Sequence, residues 1–356
     1  MRRYTLLAMA IGFLSTMSPS AWAADYPAPR EADWMAKDFR FHDGQVLPEL
    51  RLHYTTVGDP SGEPVLILHG TAGTGTGLLS PIFAGVLFGP GQPLDARKYF
   101  IILPDSIGAG KSAKPSDGLR AKFPRYDYAD LVSAQYRLLT EGVGIHHLRL
   151  VLGNSMGGME TWQWGVSHPD FMDALVPMAS QPTAMAARNW MLRRMLIETI
   201  RRDPAYDHGD YVKQPPSLLT ANVLFGIATN GGTLALQQRG ATHAQADQFV
   251  DAQLAQPAPA DANDFTYQWD ASFDYDPAPL LGRIMAPVLA INSADDERNP
   301  VETGVMAAAM THVKNGQVYL IPASKDTHGH GTTGYANFWA PQLRSFLQTV
   351  PEHQAN

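Results

Sequence analysis

A sharp junction between an apolar run and a helical segment constrains the fold of this chain more than any other feature. Residues 148–152 form the apolar run, residues 156–167 have helical spacing, and only three residues separate them. So short a connection forces the backbone to turn tightly at the end of a buried strand. The stretch Gly153-Asn154-Ser155-Met156-Gly157 fits G-x-S-x-G, and its small residues leave room for that turn. We therefore predict a strand–turn–helix unit with Ser155 at its apex.

The rest of the chain repeats the alternation of short strands and helices. Helical spacing marks residues 128–141 and 338–349. Six further runs have the length and composition of strands: 50–56, 64–68, 99–103, 174–179, 287–292 and 317–321. Short apolar strands separated by helices predict a mainly parallel sheet covered by helices on both faces. The predicted fold class is therefore α/β.

One long segment, residues 181–283, interrupts this alternation. It has helical stretches at 184–202 and 218–229 but no clear buried strand. We predict a helical cap inserted into a core formed by residues 24–180 and 284–356, with an ordinary peripheral subdomain as the alternative. Apolar side chains in the segment would suit a hydrophobic acyl or alcohol group, or would pack the cap itself. They are Trp190, Met191, Met195, Phe225, Phe265, Trp269 and Phe273.

The first 23 residues have the pattern of a secretory signal peptide rather than of folded structure. Arg2 and Arg3 precede an apolar stretch at residues 6–17, and Ala21-Trp22-Ala23 places small residues at the cleavage positions. The apolar stretch is shorter than the roughly 20 residues of a membrane span. We expect cleavage after Ala23, a periplasmic or secreted protein, and no membrane span thereafter. An uncleaved N-terminal anchor is the alternative.

Composition excludes several kinds of site. The chain has no cysteine, which rules out a cysteine nucleophile, thiolate metal ligands and disulfides. The formal net charge is −7, which argues against an extended nucleic-acid interface. Hydrophobic residues make up 45% of a chain of 356 residues, enough for a large core without metal or disulfide support.

Ser155 is the candidate nucleophile, and it needs a base and an acid beside it. A serine hydroxyl is a poor nucleophile unless a histidine accepts its proton and a carboxylate orients that histidine. Asp295 and Asp296 follow the predicted strand at 287–292, and we favour Asp296. His328 and His330 lie in a glycine-flanked loop before the last helix, and we favour His330.

Two backbone N–H groups are candidates for an oxyanion hole, the pair of donors that stabilises negative charge on a reacting carbonyl oxygen. Met156 directly follows Ser155. Thr71 follows His69-Gly70 in the glycine-rich loop 69–77, which comes after the predicted strand at 64–68. A flexible loop without this role is the alternative for residues 69–77.

No metal or cofactor is predicted. His328 and His330 could be interpreted as metal ligands, but no third ligand follows them at a recognised spacing.

On these residues the sequence resembles the α/β-hydrolases, and within them the homoserine O-acetyltransferase-like branch. The resemblance covers nearly the whole mature chain. It implies a triad of Ser155, Asp296 and His330 in that chain order, and a cap over a deep, narrow entrance. The matching positions are Phe123-Pro124, Gln135, Gly144-Ile145, residues 152–160, Trp162, Trp164, His168-Pro169, and residues 203–206 and 209–211 of the cap.

The sequence departs from the true acetyltransferases in one stretch. Those carry Gly-Gly-Cys and Ser-Thr-Gly-Pro after the third strand, and an arginine that contacts homoserine. Here residues 105–112 replace that stretch with D-x-x-G-x-G-x-S. An exported chain would also be separated from cytoplasmic acetyl-CoA.

The expected function is therefore a serine hydrolase that cleaves a carboxylic ester, lactones included, through an acyl-enzyme. Its partner would be a small-molecule ester or acyl substrate, and a homodimer is an open alternative to a monomer. The other functions considered are an acyltransferase and a non-catalytic binding protein on the same fold.

Overall fold

The computed structural model describes residues 25–258 and 260–352, so the predicted signal peptide lies outside the described residues. Within these residues eight strands form one sheet: β1 (Arg30–Arg40), β2 (Val46–Val57), β3 (Glu63–Leu68), β4 (Tyr99–Pro104), β5 (Leu150–Asn154), β6 (Leu175–Met178), β7 (Val288–Ser293) and β8 (Gly316–Ile321). Their order across the sheet is β1-β2-β4-β3-β5-β6-β7-β8. The pairs β1/β2 and β2/β4 are antiparallel and all the others are parallel. The predicted α/β class with a mainly parallel sheet is confirmed.

The described residues contain ten α-helices. They are α1 (Ala84–Leu87), α2 (Tyr128–Arg137), α3 (Met156–Ser167), α4 (Ala187–Arg201), α5 (Ser217–Thr229), α6 (Thr233–Arg239), α7 (His243–Leu254), α8 (Ala262–Asp270), α9 (Val305–Met310) and α10 (Ala340–Thr349). The N-terminus of α2 is closed by reciprocal hydrogen bonds between Asp127 and Asp130, which satisfy donors that a helix start leaves free.

The core lies on both faces of the sheet, which explains why its strands are apolar without alternation. Val65 and Ile67 of β3 pack on the face covered by α10, together with Trp339. Leu66 and Leu68 point to the opposite face, where the buried tryptophans of α3 lie. Every side chain of β3 from Val65 onward is therefore buried.

The described part of residues 181–283 contains helices α4 to α8 and no strand. These helices have an apolar cluster of their own, which includes Phe225, Phe265 and Trp269. Those three side chains therefore pack the insertion itself, whereas Met191 and Met195 are exposed on α4.

No single helix in the described ranges is long and apolar enough to cross a membrane. Helices α5 and α6 reach the required length and apolar character only when taken together, and the chain bends by 116° between them.

Candidate active site

Ser155 occupies the turn between β5 and α3, with backbone angles of φ 58° and ψ −110°. A non-glycine residue in this region is strained, and such strain persists only where the surroundings fix it. Here the turn is fixed by close packing. A Cβ on Gly153 would lie 2.0 Å from the Gly157 carbonyl oxygen, and one on Gly157 would lie 2.3 Å from the Leu68 carbonyl oxygen. Glycine is therefore required at both positions, and the turn holds the Ser155 hydroxyl at the carboxyl end of the sheet.

Two distant loops bring a histidine and a carboxylate to this serine. His330 Nε2 lies 2.7 Å from Ser155 Oγ, and His330 Nδ1 lies 2.9 Å from Asp296 Oδ2. Asp296 is 2% exposed, and both His330 and Ser155 are 6% exposed. The loop after β7 fixes the carboxylate, because Asn299 Nδ2 donates to Asp296 Oδ2 at 2.9 Å and the Arg298 N–H donates to Oδ1 at 2.8 Å.

Electrostatics at these groups favour a charged acid and a neutral base. Burial raises the pKa of Asp296, but the facing His330 and the Asn299 and Arg298 hydrogen bonds outweigh it, so the pKa lies below its ordinary value. Burial lowers the pKa of His330 below its ordinary value, although Asp296 opposes this. A neutral imidazole that donates from Nδ1 to Asp296 leaves Nε2 free to accept the Ser155 proton.

The two alternatives named from the sequence lie elsewhere. Asp295 accepts hydrogen bonds from Ser293 Oγ and from Thr327 Oγ1, the latter at 2.7 Å. Asp295 therefore ties the loop after β7 to the loop that carries His330. His328 stacks on Tyr335, with ring centroids 4.5 Å apart. The structure brings Asp296 and His330, not Asp295 and His328, to Ser155.

The loop 69–77 lies directly beside Ser155. A Cβ on Gly70 would be 3.5 Å from Ser155 Cβ, and the Gly157 N–H donates to the His69 carbonyl oxygen at 3.1 Å. Thr71 follows Gly70, and its buried hydroxyl has no hydrogen-bond partner among the described residues. Met156 is the first residue of α3. Both predicted oxyanion donors thus belong to segments that adjoin the nucleophile.

A buried carboxyl group with no role predicted from the sequence lies five residues beyond Ser155 on α3. Glu160 on α3 is fully buried and accepts a hydrogen bond from Gln135, whose own Oε1 accepts from Trp164 Nε1 at 2.8 Å. Burial raises the pKa of Glu160 to about 8, against hydrogen bonds from Gln135 and Ser106 that lower it. The protonated form is therefore favoured in the folded chain.

Glu160→Gln is expected to stabilise the protein increasingly as the pH rises. A raised pKa gives a stabilising contribution that is complete below the ordinary value of 4.5 and is lost as the pH rises toward about 8. The glutamine does not ionise, so the free energy of unfolding of the variant should rise relative to that of the wild type by up to about 1.4 kcal/mol per pH unit in that window. Urea denaturation between pH 5 and pH 8 measures the difference.

The control for this substitution is Glu141→Gln, at an exposed carboxylate whose pKa is lowered by its hydrogen bond to Arg137. This control should show no such gain with pH. A constant difference between Glu160→Gln and wild type across the window would contradict the assignment of a protonated Glu160.

A cavity of about 390 Å³ lies between the start of α4 and residues 297–300, which directly follow Asp296; the three residues Ser155, Asp296 and His330 do not line it. It is lined by apolar side chains such as Met159 and Met185 and by polar ones such as Asn299. Arg298 also lines it, with its guanidinium 4.6 Å from the Phe225 ring centroid. Burial lowers the pKa of Arg298 to about 9. The cavity is large enough for a small organic group.

The one group of side chains in the described part of the chain with the spacing of metal ligands lies outside this site. It consists of His42, Asp127 and Asp130, whose ligand atoms all lie within 4.8 Å of one another. His42 Nδ1 is 2.6 Å from Asp130 Oδ2, and both aspartates also cap α2. These carboxylates therefore have protein partners already.

A sequence model of the alpha/beta hydrolase fold matches residues 63–325. The chain belongs to the α/β-hydrolase family. It is 33% identical over 213 residues to a homoserine O-acetyltransferase of Thermobifida fusca, covering 55% of this chain and 56% of that protein. It is 35% identical over 174 residues to an ethyl acetate hydrolase of Pseudomonas veronii, covering 48% and 49%. The chain thus spans about half the length of the curated relatives it matches.

Solved structures show the same fold. An acetylester hydrolase from Corynebacterium glutamicum superposes with a TM-score of 0.77 at 22% identity, covering 90% of this chain and 96% of that one. The resemblance to α/β-hydrolases of the homoserine O-acetyltransferase-like branch, predicted from the sequence, is confirmed.

Proposed function

We propose that the protein is a serine hydrolase that cleaves carboxylic esters, lactones included, through an acyl-enzyme. The observation that carries this proposal is the continuous chain of contacts from Ser155 Oγ through the His330 ring to Asp296 Oδ2. A nucleophile, a base and an orienting acid in this arrangement are the groups that acyl transfer requires.

The first half-reaction transfers the acyl group to the enzyme. Ser155 Oγ attacks the ester carbonyl carbon while His330 Nε2 takes the hydroxyl proton. The carbonyl oxygen becomes an oxyanion, which the Met156 and Thr71 N–H groups would hold. The C–O bond to the alcohol then breaks, and the alcohol leaves with the proton from His330. Asp296 stabilises the imidazolium that exists between these proton transfers.

The second half-reaction releases the acid. Water enters, His330 Nε2 takes one of its protons, and the hydroxide attacks the acyl carbon of the Ser155 ester. The bond to Ser155 Oγ breaks and the serine recovers its proton from His330. Acyl transfer to another alcohol would use the same groups, so the competition between water and that acceptor separates a hydrolase from an acyltransferase.

Relatives of both kinds match the chain, and two considerations favour water as the acceptor. The stretch after the third predicted strand, residues 105–112, departs from that of the acetyltransferases. The proposed signal peptide would also carry the protein away from acetyl-CoA. We therefore propose hydrolysis in the periplasm or outside the cell, with acyltransferase as the second candidate because of the homoserine O-acetyltransferase relatives.

The test supplies one acyl donor and two acceptors. Full-length protein is given p-nitrophenyl acetate in water with increasing homoserine, and acetate, O-acetylhomoserine and p-nitrophenol are quantified. We expect the molar amount of acetate to equal that of p-nitrophenol at every homoserine concentration. Preferential formation of O-acetylhomoserine at millimolar homoserine would instead assign the acyltransferase function. Repeating the assay with longer p-nitrophenyl esters measures the size of the acyl pocket.

A further inference from the structure

One side chain of the helical insertion reaches the loop beside Ser155. Gln268 lies on α8 and is 2% exposed. Its amide oxygen accepts a hydrogen bond from the Ala72 N–H at 2.8 Å, and its amide nitrogen donates to the Gly108 carbonyl oxygen at 2.6 Å. These partners belong to two different core loops, 69–77 and 105–112. Gln268 therefore links the insertion to both loops at once.

The chemistry of the partners makes this link specific. A backbone N–H can only donate and a backbone carbonyl can only accept, so the Gln268 amide has one orientation that satisfies both. A carboxylate at this position would keep the acceptor for Ala72 but lose the donor to Gly108. An apolar side chain of the same size would lose both hydrogen bonds while still filling the space.

The Ala72 backbone needs such an external partner. Its φ of 60° lies in the left-handed region, which costs a residue with a Cβ about 1 kcal/mol. Thr71, whose N–H is proposed to hold the oxyanion, directly precedes it. A change in the Ala72 backbone would therefore move the Thr71 peptide, which must hold its position within a few tenths of an ångström to stabilise the oxyanion.

Other hydrogen bonds fix the ends of this loop from the core. The His69 carbonyl accepts from Gly157 N–H at 3.1 Å, and the Gly75 N–H donates to Asp105 Oδ1 at 2.7 Å. The hydrogen bond from Ala72 to Gln268 lies between these two anchors. The position of the middle of the loop thus depends on the Gln268 side chain.

We propose that Gln268 is a positioning residue: its hydrogen bond to the Ala72 N–H holds the middle of loop 69–77, and with it the Thr71 N–H, in the geometry that Ser155 needs for reaction. This inference rests on the proposed function.

The test compares Gln268→Met with a matched variant on the same helix. Asp264, one turn earlier on α8, accepts hydrogen bonds from Ser116 N–H at 2.8 Å and Ser116 Oγ at 2.6 Å. Asp264→Ala therefore also removes a link between insertion and core, but one remote from residues 69–77. Competent sites are counted by end-point titration with a fluorophosphonate, and kcat and KM for p-nitrophenyl acetate are expressed per titrated site.

Gln268→Met is expected to lower kcat per titrated site by about 10- to 100-fold while KM changes by less than about three-fold. Its affinity for a trifluoromethyl ketone, which forms an oxyanion on the serine, should fall in parallel. Gln268→Glu keeps the acceptor for Ala72 and should recover several-fold of the lost kcat. Asp264→Ala should lower the melting temperature and the titrated fraction, with kcat per titrated site within about three-fold of wild type.

Three results would overturn the role of Gln268: an unchanged kcat per titrated site in Gln268→Met, an equal loss in Asp264→Ala, or a Gln268→Glu variant no more active than Gln268→Met. Failure of the proposed function is recognised separately, because wild type would then form O-acetylhomoserine in preference to acetate, or Ser155→Ala would hydrolyse the ester as fast as wild type.

Discussion

Ser155→Ala is expected to lower kcat for ester hydrolysis by about four to six orders of magnitude. Without the hydroxyl no acyl-enzyme forms, and the residual rate comes only from binding and from the oxyanion donors. The loss should be equal in kcat and kcat/KM. Ser155 Oγ forms its bond to the substrate in the transition state and not in the enzyme–substrate complex, so its removal does not weaken substrate binding. Initial rates with p-nitrophenyl acetate, and the absence of labelling by a fluorophosphonate, measure it.

Ser180→Ala is the matched control for this substitution. Ser180 is a buried serine just after β6, and its hydroxyl has no hydrogen-bond partner among the described residues. Its replacement should leave kcat within about three-fold of wild type. Both variants should unfold at nearly the wild-type temperature. A Ser155→Ala protein that retains a tenth of the wild-type kcat would contradict the assignment of Ser155 as nucleophile.

The position of Ser155 could be predicted from the sequence because its constraints are local. Three residues between a buried strand and a helix allow few backbone paths. Gly153 is needed because the turn brings it against Gly157, and Gly157 is needed because the turn packs against Leu68 of β3. The parallel sheet could be predicted for a similar reason, since apolar runs such as residues 64–68 are buried on both faces.

The choice within each candidate pair depended on contacts that are distant in sequence. Asp295 and Asp296 are adjacent and both follow β7, so a shift of one position in the loop would change which carboxylate faces His330. His330 lies 34 positions beyond Asp296 in the sequence. The turn that selects Asp296 is closed by backbone N–H groups of Arg298 and Asn299. Nearly every residue has a backbone N–H, so the residue types at these positions do not predict the hydrogen bonds.

Strand β1 and Gln268 were missed for different reasons. Most residues of β1 are exposed because it pairs only with β2 at the edge of the sheet, so it lacks an apolar pattern. Gln268 contacts Ala72 across 196 positions and Gly108 across 160. A glutamine in a helix is ordinarily a solvated residue, and only the packing of α8 against two core loops gives this one a specific role.

Asp296→Asn is expected to lower kcat by about three to four orders of magnitude. An amide can present its NH₂ group to His330 Nδ1, which favours the tautomer whose Nε2 carries a proton and cannot accept one from Ser155. The Asp296 charge also opposes the lowering of the His330 pKa by burial. Wild-type kcat/KM should fall as the pH drops through that lowered pKa, and in Asp296→Asn the acid limb should lie at still lower pH. A profile from pH 4 to pH 9 with p-nitrophenyl acetate measures both effects.

Asp295→Asn is the matched control for Asp296→Asn, because the two carboxylates are adjacent and both accept hydrogen bonds. It separates the orientation of His330 from a merely structural role in the loop. Asp295 joins the loop after β7 to Thr327 Oγ1 at 2.7 Å and to the Gly329 N–H at 3.2 Å, and it does not contact the His330 ring. Its replacement should lower the melting temperature, while kcat per competent site stays within about ten-fold of wild type and the acid limb does not move. The reverse ranking, with the larger loss of kcat and the shifted acid limb in Asp295→Asn, would assign the orienting carboxylate to Asp295 instead.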